Sequence, residues 1–154
     1  IKYVYVHMSA FPFKLMVSMM RMIGEAVFDR YPKLRVGFME AGVGWLPFWL
    51  ERLDAHWESM PEQAPAIDRK PSEYFLSGRC FVGCEPDERM LGYVSEHVSP
   101  DVICYASDYC HWDSKFPDSV RLIAEREELS ASTKRKILAG NPARLFNLKL
   151  PASA

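Results

Sequence analysis

The stretch Val102-Ile103-Cys104-Tyr105-Ala106-Ser107-Asp108-Tyr109-Cys110-His111-Trp112-Asp113 decides how the rest of the chain is read. Its first five residues are short, apolar and bounded by polar turns, the pattern of a strand buried inside a sheet. The loop that follows places two carboxylates and an imidazole within seven residues. An acid at the tail of a buried parallel strand sits where α/β folds gather their chemistry. Asp108 is therefore the first candidate for an active-site carboxylate. His111 stands beside it, and Trp112 is placed to wall a pocket for a planar or apolar substrate.

Outward from this segment the chain alternates. Residues Ile1 to Val6 (IKYVYV) are rich in β-branched and aromatic side chains and read as a strand ending at His7. Phe13 to Arg30 reads as an amphipathic helix closed by Tyr31-Pro32, since proline disfavours helical geometry in the residue before it. Leu34 to Met39 reads as a second strand, Trp45 to Glu58 as a helix with Pro47 in its first turn, and Met60 to Ser72 as a proline-bearing surface excursion. Arg79 to Val82 is the third expected strand, Asp87 to His97 a helix, Val102 to Ala106 the fourth strand. Pro117 to Arg126 and Ala131 to Ala139 close the chain as helices, the latter with Ser130 as N-cap. Strand and helix in strict alternation predict an α/β fold with four parallel strands joined by crossover helices.

Composition narrows the function classes. A chain of 154 residues can bury the core of one domain. Its net charge of −1, with charges mixed along the chain, offers no basic face for nucleic acid. No apolar run is long enough to cross a bilayer, and the N-terminal residues lack the layout of a signal peptide. Of Cys80, Cys84, Cys104 and Cys110, two lie in apolar strand-like runs, which points to free thiols in a reducing, cytoplasmic setting. A zinc knuckle at Cys80-x3-Cys84 fails on geometry: residues four apart on a strand are roughly 13 Å apart.

Strands of a parallel sheet share one C-terminal edge, so the residues just past them meet in space. They are His7, Glu40, Glu85, and Asp108 with His111. Acids and histidines converging on one rim suit a metal site, and equally suit general acid–base work without metal. Each has a plainer reading. His7 serves as well to cap its strand, Glu40 and Glu85 are both explained by helix starts that favour an acid, and Asp108 has the weakest alternative. His56 and His97 fall on helices away from the rim. Trp45, Trp49 and Trp57 recur at helical spacing and read as core packing.

The segment Tyr31 to Asp54, YPKLRVGFMEAGVGWLPFWLERLD, resembles the amidohydrolase-related family of metal-dependent hydrolases, which includes aminocarboxymuconate-semialdehyde decarboxylase and its relatives. The likeness continues through Lys70 to Phe75, Arg79 to Glu88 and Tyr105 to Pro117, and closes with KILAGNPARLFNL at Lys136 to Leu148. It implies a (β/α)8 barrel with a divalent metal, usually zinc, at the C-terminal rim. The family's last-strand aspartate, a metal ligand and proton-transfer residue, falls on Asp108. The decarboxylase branch ends its sixth strand in a histidine beside a glycine turn; here that stretch is Glu40-Ala41-Gly42, so Glu40 takes the place. The final loop commonly reads Asp-Tyr-Pro-His, with Cys110 replacing the proline here.

A barrel of this type takes about 250 residues, so the resemblance places this single domain, residues 1–154, as the C-terminal half of one. The family's first-strand His-x-His pair has no counterpart in these residues. Ile1 to His7 reads either as the fifth strand, with His7 as a metal ligand, or as the segment after it, which the register of Phe11-Pro12-Phe13 suggests. Half a barrel leaves raw strand edges, which predicts a homo-oligomer or pairing with the missing N-terminal half. The expected function is a metal-dependent hydrolase acting on a small carboxylated or cyclic substrate. A lyase on the same scaffold is an alternative, as is a non-catalytic barrel remnant acting in assembly. On the hydrolase reading Asp108, Glu40 and His111 are catalytic, Asp108 and His7 bind metal, and Trp112 and Glu85 line the substrate pocket.

Overall fold

The computed structural model describes residues 2–151. It opens on a long helix, α1 (Tyr3–Gly24), and a short one, α2 (Val27–Arg30), followed by strand β1 (Val36–Phe38). Helix α3 (Leu46–Ser59), a 3-10 turn (Pro61–Gln63) and α4 (Pro71–Phe75) lead to β2 (Cys80–Cys84). Helix α5 (Leu91–His97) and a 3-10 turn (Pro100–Val102) precede β3 (Ile103–Tyr105). The chain ends in α6 (Ser119–Ala124), α7 (Ala131–Arg135), a π-helical turn (Lys136–Gly140) and α8 (Asn141–Phe146).

The fold is α/β with a parallel sheet, in the order β1-β2-β3. Gly37 faces Phe81 across the first pair and Gly83 faces Cys104 across the second. The middle strand is buried along its whole length, as its uninterrupted apolar run requires. Phe38, Val82 and Ile103 extend the core from the strands, and Met19, Ile23, Leu46 and Leu91 cover them from the helices. At Gly83 an added Cβ would lie 3.0 Å from Met39 Cε, so a side chain there would have to displace the Met39 thioether that packs over the strand.

Three strands are present among the described residues, one fewer than the alternation predicts. The missing one is the N-terminal run: Tyr3 onward is helical, and Ile1 lies outside the described residues. The reason is backbone hydrogen bonding. No described strand lies alongside residues 2–7, so their amides and carbonyls have no ladder to join and are satisfied within the segment instead. A short apolar run is ambiguous between strand and helix by pattern alone. As a helix it stacks Tyr3, His7 and Phe11 at four-residue spacing, with ring centroids 5.6 and 5.3 Å apart.

The remaining helices follow their sequence cues with shifted starts. Leu46, Leu50, Leu53 and Trp57 turn one stripe of α3 toward the core. Trp45, Trp49 and Trp57 all pack against that core, as their spacing predicts, and the Trp49 indole donates to the Met16 carbonyl at 3.0 Å. Within the surface excursion, Asp54 caps α4 by accepting from the Ser72 amide at 2.8 Å and from its hydroxyl at 2.5 Å. Ser130 caps α7 through the Thr133 amide, 3.1 Å away.

Asn141 ties the last helix to the sheet. It is 1% exposed, and its side-chain amide donates to Pro100 O at 2.8 Å and Ile103 O at 2.7 Å. Asn141→Ala leaves these carbonyls without that donor, so urea unfolding should show a loss of about 2 to 3 kcal/mol. Asn141→Asp, which replaces the donor with an acceptor, should destabilise at least as much.

Candidate metal centre at the strand C-termini

Three loops meet beyond the C-terminal edge of the sheet because the three strands are parallel. The β1 loop brings Glu40, the β2 loop Glu85 to Glu88, and the β3 loop Asp108 to Asp113. Together they border a cavity of about 470 Å³, lined also by His7 and Lys115.

Glu40 and Asp108 line it, and together with His111, which is not among the lining residues, each presents one donor atom, all within 4.8 Å of one another. The imidazole Nδ1 of His111 lies 3.1 and 3.2 Å from the two Asp108 carboxylate oxygens. An ionised carboxylate only accepts, so the proton of this contact belongs to Nδ1, and Nε2 is the ring atom left to coordinate or to exchange a proton. The loop is braced from inside. Asp108 O accepts from the His111 amide at 2.9 Å, and Ser107 O accepts from the Ser114 hydroxyl at 2.7 Å. Tyr105, the last strand residue, bonds the buried Ser119 hydroxyl at 2.6 Å and anchors the loop's root.

Two of the three donors sit on unusual backbone. Glu40 has φ 76° and Asp108 φ 51°, in the left-handed region that costs a non-glycine residue on the order of 1 kcal/mol or more. Such conformations persist where surrounding contacts over-determine them, and here they turn both acids toward one point.

His7 reaches the site from α1 rather than from a strand end, which corrects the strand-terminal placement predicted for it. It lines the cavity but is not part of the three-donor group. Its ring lies 5.8 Å from that of Trp112, which stands beside His7 but is not among the residues lining the cavity. Trp112 is 77% exposed, which leaves its face free to meet a substrate. Glu85 also lines the cavity, and burial, then the carboxylates of Glu88, Asp108, Asp113 and Asp87, raise its pKa above the ordinary glutamate value. Lys115 pairs with Asp87 at 3.1 Å, compensating part of this negative charge.

Glu88 is the residue that sequence reasoning passed over. Following Pro86 and Asp87 it reads as an ordinary helix-start acid, yet α5 begins only at Leu91 and the side chain serves a different helix. Both its oxygens accept from the Val43 amide at 2.9 Å, and Oε1 also accepts from Gly44 at 2.8 Å. The signal available in the sequence is the Gly42-Val43-Gly44 turn, whose successive amides can cradle an anion.

Cys84 lines a small pocket with Glu40, Glu85 and Asp108, but no cysteine belongs to the three-donor group. All four are free thiols; Cys80, Cys84 and Cys104 are buried, and burial pushes their pKa values up to about 12. The oxygen and imidazole donors at the rim do suit a divalent ion such as zinc, and three protein ligands is the number typical of a catalytic zinc.

The amidohydrolase sequence pattern matches residues 3–148. The chain belongs to the amidohydrolase family. Among solved structures it is similar to the 5-carboxyvanillate decarboxylase LigW from Sphingomonas paucimobilis, at 29% identity with a TM-score of 0.68. That match covers 84% of this chain and 38% of the decarboxylase. A second likeness is to an amidohydrolase from Mycobacterium avium subsp. paratuberculosis K-10, at 25% identity and a TM-score of 0.70. It covers 82% of this chain and 32% of that one. The chain thus spans about a third of the length of these family members. None of its described helices is long and apolar enough to cross a membrane.

The raised Glu85 pKa fixes a pH dependence for this amidohydrolase domain. As pH rises past the ordinary glutamate value of 4.5, the unfolded chain releases its proton before the folded one does. Stability therefore falls from that pH up to the folded-state value, and the penalty is fully present above it. With a chelator in the buffer, Glu85→Gln should melt above the wild type at neutral pH. The two melting curves should converge below about pH 4, where both states hold the proton.

Proposed function

We propose that this domain carries part of the active site of a metal-dependent hydrolase acting on a small carboxylated or cyclic organic substrate. The observation that carries the reading is the convergence of Glu40, Asp108 and His111 within 4.8 Å at the strand edge of an amidohydrolase domain. Glu40, Asp108 and His111 would hold a divalent metal, with zinc the best match to their chemistry. When bound, such an ion supplies a Lewis acid that polarises a substrate carbonyl and makes water a better nucleophile.

The chain's own residues do the rest. Asp108, one-third exposed, can take a proton from attacking water and return it to the leaving group. His111 holds that carboxylate in orientation through Nδ1. Trp112 and His7 offer an aromatic wall for a planar substrate, and Glu85 borders the same space. The glutamate at position 40, where the decarboxylase branch resembled by this sequence has a histidine, favours hydrolysis over histidine-assisted decarboxylation. A lyase is the second reading, supported by the likeness to 5-carboxyvanillate decarboxylase and by the aromatic wall.

The working site also needs covering. The outer strands β1 and β3 each lack a neighbour on one side among the described residues, and the first turns of α1 expose Tyr3, Tyr5, Met8 and Phe13. A helix apolar on all sides belongs inside a larger protein. We place this domain in a (β/α)8 barrel whose remaining strands come from further polypeptide or from a second copy. A light-scattering mass showing a stable, monodisperse monomer of the 154-residue chain would contradict that.

Metal content tests the central claim. The chain, stripped with chelator and reloaded, should retain about one zinc per site, and Asp108→Ala should lose it. A wild type that takes up no metal under zinc supplementation supports a remnant without chemistry. With the complete barrel, release of carbon dioxide from carboxylated aromatics would select the lyase over the hydrolase.

A further inference from the structure

We propose that Glu88 is a positioning residue, whose carboxylate holds the turn after β1 so that Glu40 stays beside Asp108 and His111. The inference rests on Glu40 being a metal donor. It adds the device that keeps Glu40 in place.

Every acceptor position of this carboxylate is engaged by backbone. Val43 N lies 2.9 Å from both oxygens, Gly44 N 2.8 Å from Oε1, and Glu85 N 3.4 Å from Oε2. Glu88 therefore borders the cavity without belonging to the donor group. Its contacts span two loops: it leaves the chain after β2 and grips the turn after β1, linking segments more than forty residues apart.

The turn it grips is the one that presents Glu40. Glu40 and Gly42 both have positive φ, 76° and 63°, so two of three consecutive residues are left-handed. Glycine at position 42 is required twice over. A Cβ there would be strained by the backbone angle and would lie 2.7 Å from Glu88 Oε1. The turn is thus shaped around the carboxylate. Without it, the Val43 and Gly44 amides lose their acceptor, and the turn that presents Glu40 is left with the Trp45 indole bond to Gly42 O at 2.9 Å.

Zinc affinity, measured by competition with a chromophoric chelator, and amide exchange, measured by NMR on the full chain, test this together. Glu88→Gln keeps one acceptor oxygen and sets an NH2 group against the turn's N–H groups. It should weaken zinc binding about 10- to 100-fold, the usual effect of losing a residue that orients a ligand. It should also speed exchange of the Val43 and Gly44 amides by at least about 10-fold. Because Glu88 acts through Glu40, adding Glu88→Gln to Glu40→Gln should change zinc affinity less than about 2-fold. Gly42→Ala, which pushes a methyl group into the same carboxylate, should reproduce the weakening if Glu88→Gln fails to fold. Equal losses in both backgrounds would mean general loosening and overturn the inference, as would unchanged exchange in Glu88→Gln. A wild type that binds no zinc overturns the metal reading instead, and amide exchange alone then decides the role of Glu88.

Discussion

Parallel pairing of β2 with both neighbours is the constraint on which the rest depends. A strand hydrogen-bonded on each side and covered on each face has no exposed side, so Cys80 to Cys84 can carry only apolar or small residues. Parallel strands also cannot be joined by tight turns. Each crossover must return the chain to the starting edge, and the loops after all three strands are left together at the opposite one. The site is a consequence of this direction. Glu40, Glu85 and Asp108 are far apart in sequence and each needs only to follow a strand closely.

Gathering acids on one edge has an electrostatic cost that the surrounding groups offset unevenly. Unit charges 4.8 Å apart repel by about 1 kcal/mol in water and by about 3 kcal/mol in the intermediate dielectric of a protein cleft. Glu88 is neutralised by amide dipoles, and Asp87 by Lys115. Glu85 responds by holding its proton more tightly. Glu40 and Asp108 have no lysine or arginine partner among the described ion pairs, and the His111 ring lies against Asp108. The uncompensated charge is concentrated at the donor cluster, where a divalent cation would reverse the balance.

Much of this was legible in the sequence, for physical reasons that also explain the failures. Strands β2 and β3 announce themselves as the Arg79–Val82 and Val102–Ala106 runs because full burial demands continuous apolar residues, although β2 runs on through Gly83 and Cys84. Asp108 and His111 were legible as rim residues once β3 was placed, and Glu40 once Leu34 to Met39 was read as the strand before it. The N-terminal run was misread because IKYVYV satisfies strand and helix patterns alike, and only the lack of a neighbouring strand decides between them. The last helix was read only to Ala139, whereas the chain continues through a π turn at Lys136–Gly140 into α8, which accommodates Pro142 in its first turn. Glu88 was hidden by a different fact. Its partners are backbone amides, which leave no trace in residue identity except the glycines of the turn.

The backbone angles at Glu40 and Asp108 separate the demands of folding from those of the site. A turn that needs positive φ is met at least cost by glycine, and this chain uses glycine at positions 42 and 78 where only shape is required. At positions 40 and 108 it places acids in the same conformation, accepting strain and mutual repulsion together. Neither term stabilises the fold. Ala26 and Asn147 adopt the same region, so the angle alone does not mark a site. It is the convergence of two acids in it that the proposed metal would account for, with the hydrogen bonds of Glu88 and the β3 loop holding their turns.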